Sequence, residues 1–195
     1  MVAAKGENLP VKAFEDQQTW ADWLHPNHVA SSGLWIRLAK KASARRSVSY
    51  AEAVEVALCY GWIDGQSKSY DETSWLQKFT PRRRGSIWSK INRAKAERLI
   101  SEGRMQPAGL AEIDRAKQNH RWDAAYDSPG TATVPIDFQA ALESSPRARA
   151  FCCALNSRNR FAILFRVQNA RKAATRVSRI EQFIRMLEKH EKLYP

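Results

Sequence analysis

The protein has 195 residues and a mass of 22.2 kDa, a length typical of one domain or of one domain with a small appendage. Hydrophobic residues make up 44% of the chain and charged residues 27%, a balance that excludes a wholly disordered chain, a collagen and a coiled-coil rod. No apolar stretch reaches the length of a membrane-spanning helix, and the first ten residues lack the apolar run of a signal peptide. We therefore expect a cytoplasmic protein without membrane insertion.

Positive charge is the most informative part of the composition. The chain has 32 basic and 20 acidic residues, a formal net charge of +12. Residues 1–80 carry 9 basic and 9 acidic residues, whereas residues 136–195 carry 12 basic and 5 acidic ones. Between Glu143 and Glu181 lie nine basic residues and no acidic residue. This asymmetry indicates an anionic partner, either nucleic acid or a phosphorylated metabolite, and the alternative is a solvated basic helix face.

The N-terminal part begins with a helix and a strand. Asp16 is expected to cap the helix, which ends at Pro26. The apolar face of this helix has residues at helical spacing, namely Trp20, Trp23 and Leu24. The alternating run over residues 34–39 predicts a strand.

A capping box predicts the second helix. Ser49 is followed three residues later by Glu52, so each side chain can satisfy a backbone amide of the other residue. Gly61 suits the left-handed residue that follows the helix end. Two strands are expected next, over residues 67–70 and 74–79.

Helices dominate the rest of the chain. One helix is expected after residues 86–89 and stops before Gly103, and Pro107 suits the first turn of the next. Residues 127–135 are the clearest linker. Beyond it we expect helical stretches over residues 138–142 and 146–155, a third capped by Ser157, and a last helix over about 175–189. The interpretation is an α+β core with a small antiparallel sheet over residues 1–126, followed by a helical C-terminal module over residues 136–195.

Catalytic motifs are scarce. Asp64 lies in a glycine-flanked turn, where it either binds its own backbone amides or orients an arginine or a ligand. His25 and His28 are separated by Pro26 and have no accompanying ligand pair, so we predict no metal site there. The sequence contains no phosphate-binding glycine loop and no serine-nucleophile motif, and we predict no cofactor.

The three cysteines fit a reducing compartment. Cys59 lies in an apolar helical stretch, and Cys152 and Cys153 are adjacent, a poor arrangement for a structural disulfide. We expect Cys152 and Cys153 to be small buried hydrophobic residues.

The first candidate anion site follows residue 79. Its basic and polar residues surround a predicted helix start, which itself favours anions; they are Arg82, Arg83, Arg84, Lys90, Asn92 and Arg93. Four tryptophans within or near this region either stack on a ligand or belong to the core; they are Trp62, Trp75, Trp88 and Trp122.

The second candidate anion site lies in the acid-free segment. Its residues are Arg158, Arg160, Lys172, Arg176 and Arg179. Arg158 and Arg160 fall in the first turn of a predicted helix, where the helix dipole disfavours cations. That cost predicts a compensating partner, either a carboxylate of the fold or an external anion.

Several runs identify a family resemblance that covers nearly the whole chain. They include Gly33 to Lys40, Gly61-Trp-Ile-Asp-Gly65, Trp88-Ser-Lys-Ile-Asn92, Arg121 to Tyr126 and Ala170 to Arg176. The chain resembles the YdeI/OmpD-associated (OmdA, bacteriocin-protection) family, and the part after the linker resembles that family's helical module. The resemblance implies a link to stress resistance, to protection from bacteriocins or cationic peptides, and to an outer-membrane porin. The resemblance implies no catalytic residues. Descriptions of the family suggest a periplasmic location, and this chain departs from that expectation because we recognise no export signal in it.

A net charge of +12 repels cationic peptides, so any protection of the cell from such peptides would have to act indirectly. Three hypotheses about the function follow. The first hypothesis is a binding protein for an anionic partner such as nucleic acid, with both basic sites on one face. The second is an enzyme for a small anionic metabolite, with Asp64, Trp62, Arg82 and Trp88 lining a pocket. The third, a membrane-surface protein, is disfavoured because the last helix carries several glutamates among its bases.

Overall fold

The computed structural model describes residues 9–195, so the expectation about an N-terminal signal concerns residues that lie mostly outside the described part. The chain divides into two compact units. The first comprises the described residues up to Ile87 together with Asn92–Asp123, and the second comprises Trp88–Ile91 and Ala124–Pro195. Over residues 9–195 no helix is both long and apolar enough to cross a bilayer. The domain bounds expected from the sequence, with a linker over residues 127–135, stay a prediction.

The first unit is built on a four-stranded sheet. Its strands are β1 (Val11–Lys12), β2 (Leu34–Ala39), β3 (Trp62–Ser69) and β4 (Ser74–Pro81), in the spatial order β1-β2-β4-β3. The pairs β2–β4 and β4–β3 are antiparallel, whereas the short β1 is parallel to β2. The α+β class is confirmed, and the two residues of β1 make the otherwise antiparallel sheet mixed.

Strand β3 is longer than the pattern over residues 67–70 predicts. Its pairing with β4 shifts register between Asp64 and Ser67, so the alternation of side chains is interrupted there. The buried amide of Gln77 in β4 donates to the carbonyl oxygens of Gly65 and Gln66, at 2.8 and 3.3 Å. Gln77 thus satisfies the backbone that the irregularity leaves without a ladder partner.

Four helices accompany this sheet along the chain: α1 (Gln17–Asn27), α2 (Tyr50–Cys59), α3 (Lys90–Ser101) and α4 (Pro107–Gln118). Both expected N-caps are present, because Asp16 accepts from the Thr19 amide at 2.9 Å and Ser49 forms a reciprocal capping box with Glu52. Hydrogen bonds from the Ser49 backbone and side chain hold the pKa of Glu52 below its usual value. The expectation that Pro26 ends α1 is wrong by one residue, since Pro26 lies inside the last turn.

Aromatic packing joins α1 to the sheet. The Trp20 ring is fully buried, and its centroid lies 5.8 Å from that of Phe79 in β4 and 6.1 Å from that of Trp62 in β3. Trp20 also donates from its indole nitrogen to the carbonyl of Ala53 in α2 at 3.1 Å. A buried tryptophan with its N–H satisfied stabilises a core well, so this contact fixes α1 and α2 on one side of the sheet.

The second unit is a helical module. Its helices are α5 (Ile136–Glu143), α6 (Pro146–Ala154), α7 (Ser157–Gln168) and α8 (Ala173–Glu188). They enclose one apolar core whose largest members are Phe138, Ile163, Phe183 and Leu187. The helix expected after Ser157 begins there, but its cap is Asn156, whose side chain accepts from the Asn159 amide at 2.9 Å.

Candidate functional site

One side of the sheet in the first unit carries a group of basic and aromatic side chains. Trp35 in β2 pairs directly with Lys78 in β4. Two residues further along, Arg37 pairs with Leu76, which in turn pairs with Lys68 in β3. Directly paired residues project to the same side, and side chains alternate along a strand. These five side chains therefore share one face of the sheet, on which Leu76 is 2% exposed and the other four are half-buried or exposed.

Trp35 lies at the centre of this group. The ammonium nitrogens of Lys68 and Lys78 lie 4.5 and 5.9 Å from the centroid of the Trp35 ring. The Arg37 guanidinium carbon lies 5.8 Å from the centroid of the Tyr70 ring, which is 51% exposed. Lys68 is exposed, and Trp35 is partly exposed. We call this set, Trp35, Arg37, Lys68, Tyr70 and Lys78, the basic sheet face.

The strands supply no carboxylate to the basic sheet face. Strands β2, β3 and β4 contain a single acidic residue, Asp64. Asp64 pairs with the fully buried Phe79 and so belongs to the opposite side, where its carboxylate accepts a hydrogen bond from the Tyr50 hydroxyl at 2.7 Å. Asp64 therefore has a partner in α2, which is neither of the two roles expected for it.

This combination suits a single-stranded nucleic acid. An antiparallel sheet can pack one face on a core and leave the other to solvent. Aromatic side chains on such an open face stack on unpaired bases, and neighbouring lysines and arginines bind the phosphates. The basic sheet face offers both kinds of group within one set of three strands.

The arginines of the first predicted anion site have different surroundings. Arg82 is only 6% exposed and donates to the Ile87 carbonyl at 3.3 Å, so it belongs to the structure of its turn. Arg83 and Arg84 are exposed at the same turn, and in the described part of the chain neither forms an ion pair. Of the three, Arg83 and Arg84 thus remain available to an anion.

The helix that follows uses its cations internally. The ammonium of Lys90 lies 2.6 Å from an Asp127 carboxylate oxygen. Arg93 forms an ion pair with Glu97 at 3.4 Å and donates to the Trp122 carbonyl at 3.4 Å. Asn92 is half-buried near the helix start. These contacts do not support a shared anion site on α3.

Two arginines of the second predicted site tie helices together. Arg176 forms a bidentate ion pair with Asp137, its Nη2 lying 2.8 Å from Oδ1, and it donates to the Val167 carbonyl at 2.8 Å. Arg179 donates to the Arg166 carbonyl at 2.6 Å. Both carbonyls lie in the last turn of α7, where the helix dipole favours cations. These side chains connect α8 to α5 and α7.

The other three residues of that site are exposed. Arg158, Arg160 and Lys172 form no ion pair among residues 9–195. The guanidinium carbon of Arg158 lies 4.5 Å from the centroid of the Tyr194 ring. Arg158 thus lies against an aromatic ring rather than against the carboxylate of the fold that was one of its two expected partners, and the other, an external anion, stays a prediction.

The tryptophans expected near a ligand are mostly core residues. Trp62, Trp88 and Trp122 are 1%, 2% and 6% exposed. Trp62 also donates to the His28 carbonyl at 3.1 Å. Trp75 is partly buried against Tyr50, with ring centroids 5.9 Å apart. Their burial favours the core interpretation that the sequence left open.

The cysteines differ from one another. Cys59 and Cys152 are buried, whereas Cys153 is exposed, so the expectation of two buried neighbours is wrong for Cys153. Adjacent residues of a helix point in directions about 100° apart, so only one of the pair faces the core. Over residues 9–195 no group of three or more His, Cys, Asp or Glu side chains is placed to hold a metal ion.

The sequence contained a signal for the basic sheet face that the prediction did not use. The alternation over residues 34–39 places Trp35 and Arg37 opposite the apolar residues, on the side away from the core. Lys78 could be added only with the register of β4 on β2, and Lys68 only with the register of β3 on β4, which a break at Gly65 and Gln66 obscures.

Two family models match the chain. Residues 12–112 match a domain of unknown function, DUF8412, and residues 131–190 match the family described as bacteriocin-protection, YdeI or OmpD-associated. The resemblance to the second family, expected over nearly the whole chain, is thus found at residues 131–190. The quoted runs up to Asn92 fall within the first match, and the run from Arg121 to Tyr126 lies between the two matches. A search of curated proteins and a search of solved structures each gave no significant match. Because the first match covers more than half of the chain, the protein belongs to the DUF8412 family, and it carries an OmdA domain at residues 131–190.

Proposed function

We propose that the protein binds single-stranded nucleic acid on the basic sheet face. The observation that carries this proposal is the position of Trp35, with the Lys68 and Lys78 ammonium groups 4.5 and 5.9 Å from its ring centroid. A base stacks on the indole, and the lysines bind the flanking phosphates. Arg37 and Tyr70 extend the same surface.

Stacking is strong enough to replace the lysine that now lies against Trp35. A cation–π contact at an exposed site contributes about 0.5–1 kcal/mol, whereas a base stacked on an aromatic side chain contributes about 1–3 kcal/mol. Lys68 is exposed and has a flexible stem, so its ammonium can move from the ring to a phosphate. The exchange gives both the base and the phosphate a partner.

The charge of the chain supports the same ligand class. A net charge of +12 attracts polyanions over long distances and repels cationic peptides. Arg83 and Arg84 follow β4 directly and are exposed, so we include them as further phosphate contacts in the first unit. Because this charge repels cationic peptides, a link to peptide resistance would run through nucleic acid or regulation.

The enzyme alternative has less support. Trp62 is a buried core residue, Asp64 is bound by Tyr50, and Arg82 is buried in its own turn. Each of these three candidate groups has a structural partner within the first unit.

A cytoplasmic site of action stays part of the proposal, and the three free cysteines support a reducing compartment.

The test is a binding titration with a short fluorescein-labelled single-stranded oligonucleotide at low salt. Trp35→Leu should weaken binding by about 1–3 kcal/mol, because a stacking partner is lost. Lys68→Gln should weaken it by less, and the matched variant Lys189→Gln, at an exposed lysine at the end of α8, should bind like the wild type. Equal affinities for the wild type, Trp35→Leu and Lys68→Gln would refute the proposal.

A further inference from the structure

A groove lies along one face of helix α7 in the second unit. Its volume is about 670 Å³, within the roughly 300–1,000 Å³ of small-molecule sites. Apolar side chains, Pro129, Phe161 and Phe165, form part of the lining. Three polar side chains, Arg158, Arg166 and Tyr194, form another part, and no lining residue is acidic. We call it the α7 groove.

Two guanidinium groups of the groove converge on one phenol ring. The guanidinium carbons of Arg158 and Arg166 lie 4.5 and 5.9 Å from the centroid of the Tyr194 ring. Arg166 donates to the Tyr194 hydroxyl at 3.3 Å and to the Ala162 carbonyl at 3.0 Å. The hydrogen bond from Arg166 lowers the pKa of the Tyr194 hydroxyl. Two like charges are therefore held beside one uncharged ring.

Tyr194 is fixed by a buried side chain. Asn159 is fully buried, and its side-chain oxygen Oδ1 accepts a hydrogen bond from the backbone N–H of Tyr194 at 2.9 Å. Its side-chain nitrogen Nδ2 donates to the backbone carbonyl of Tyr194 at 3.2 Å. These two hydrogen bonds hold the backbone of Tyr194 in place, and with it the ring against which Arg158 and Arg166 lie. A pre-organised group loses little freedom when a ligand binds.

The charge balance of the groove calls for an anion. Arg158 is exposed and, in the part of the chain that the structure describes, has no carboxylate partner. The segment between Glu143 and Glu181, which supplies most of the lining, contains no acidic residue. A planar guanidinium presents paired N–H donors that match a carboxylate, a sulfonate or a phosphate.

The apolar part of the groove is aromatic. The ring centroids of Phe161 and Phe165 lie 5.8 Å apart, and Tyr126 meets Phe165 edge to face at 4.9 Å. Aromatic rings add to such a cluster in offset or edge-to-face contacts, each contributing about 0.5–1.5 kcal/mol beyond area burial. An aromatic ligand therefore gains more here than an aliphatic chain of the same area.

We infer that the α7 groove binds a small aromatic anion, with the charge on Arg158 and the ring against Phe161 and Phe165. This site shares no residue with the proposed nucleic-acid surface, because its residues belong to the second unit and those of the basic sheet face to the first. The ligand chemistry follows from the lining and does not require that the protein act on the ligand.

The test uses the fluorescent aromatic anion anilinonaphthalene sulfonate with the full chain. We expect saturable binding at one site per chain, weakened about tenfold in Arg158→Gln because a charge-assisted hydrogen bond is lost. Arg158→Lys, which keeps the charge without the planar fork, should give an intermediate affinity. Arg147→Gln, at an exposed arginine of α6, is the matched control and should bind like the wild type.

Competition separates the charge from the ring. Naphthoate should displace the probe at about a tenth of the concentration needed for the uncharged naphthamide, and decanoate should displace it less well than naphthoate. A thermal melt of each variant by circular dichroism shows whether it is folded. Equal affinity of Arg158→Gln and Arg147→Gln for the probe, or equal displacement by naphthoate and naphthamide, would overturn the inference.

Discussion

The ammonium of Lys68 in β3 lies 4.5 Å from the centroid of the Trp35 ring in β2, although β4 separates these two strands in the sheet. The lysine side chain must therefore reach across the middle strand to meet the ring. A long side chain that crosses a strand covers apolar surface with its stem and keeps its charge at the surface. This contact gathers charge around the partly exposed tryptophan of the basic sheet face.

The proposed binding should depend on salt. The basic sheet face has three cations, Arg37, Lys68 and Lys78, and for single strands the slope of log K against log salt is about −0.7 for each neutralised phosphate. We expect a slope of about −2 for the wild type if these three contacts dominate, and steeper if Arg83 and Arg84 take part. Lys68→Gln should reduce the magnitude by about 0.7, measured by anisotropy titrations over a salt series. Binding that does not respond to salt would contradict the phosphate contacts.

Trp88 should be essential for stability. It is 2% exposed, so Trp88→Ala removes a buried ring and leaves a cavity. Such changes cost about 3–5 kcal/mol of unfolding free energy, whereas Arg83→Ala at an exposed position should cost less than about 0.5 kcal/mol. Urea unfolding followed by circular dichroism measures both. A Trp88→Ala protein as stable as the wild type would mean that the ring lies at the surface.

The ion pair between Arg176 and Asp137 should stabilise the helical module in a pH-dependent way. The hydrogen bond from Arg176 lowers the pKa of Asp137 below its ordinary value of 3.8. A carboxyl group with a lowered folded-state pKa adds stability above its unfolded-state pKa and loses it as the pH falls through the folded-state value. Because Asp137 is 46% exposed, we expect Asp137→Asn to cost no more than about 1 kcal/mol at neutral pH.

The same experiment at low pH checks the cause. The urea midpoints of the wild type and Asp137→Asn should differ at neutral pH and converge as the pH falls below the folded-state pKa of Asp137. Asp114→Asn, at an exposed position in α4, serves as the control and should follow the wild type at both pH values. A midpoint difference that persists unchanged in acid would show that the ion pair is not its source.

The three thiols should react at different rates. Burial raises the pKa of Cys59 to about 11 and also raises the pKa of Cys152, so neither is a ready thiolate near neutral pH. Cys153 is exposed. We expect Ellman's reagent to label one thiol per folded chain rapidly and the other two only after denaturation. Rapid labelling of Cys59, located by peptide mass mapping, would contradict the burial.

Local features were predictable because they depend on neighbours in sequence. Ser49 with Glu52 fixed the start of α2, Gly61 has the expected positive φ of 72° after its end, and Pro107 begins α4. The strand over residues 34–39 and the order of the four C-terminal helices follow from period and turn residues alone. These signals need no knowledge of tertiary contacts.

The role of each charged residue was not predictable, because it depends on partners far along the chain. In the sequence, nothing near Arg176 distinguishes it from a surface cation, but the structure pairs it with Asp137. Arg82 likewise resembles its exposed neighbour Arg83 in the sequence, whereas the structure buries it. The basic sheet face required the register of β3 on β4, which the irregularity at Gly65 and Gln66 hides from a simple alternation. Cross-strand register and ion-pair choice are both set by the folded structure.

The stacking of a base on Trp35 is the central claim, and photocrosslinking measures it most directly. A single-stranded oligonucleotide that contains iodouracil attaches on irradiation to the aromatic side chain against which the base lies. We predict that digestion and mass spectrometry will place the main crosslink on Trp35, and that Trp35→Leu will remove it while Lys189→Gln leaves it unchanged. A main crosslink elsewhere in the chain, or a Trp35→Leu variant that crosslinks as efficiently as the wild type, would contradict the account.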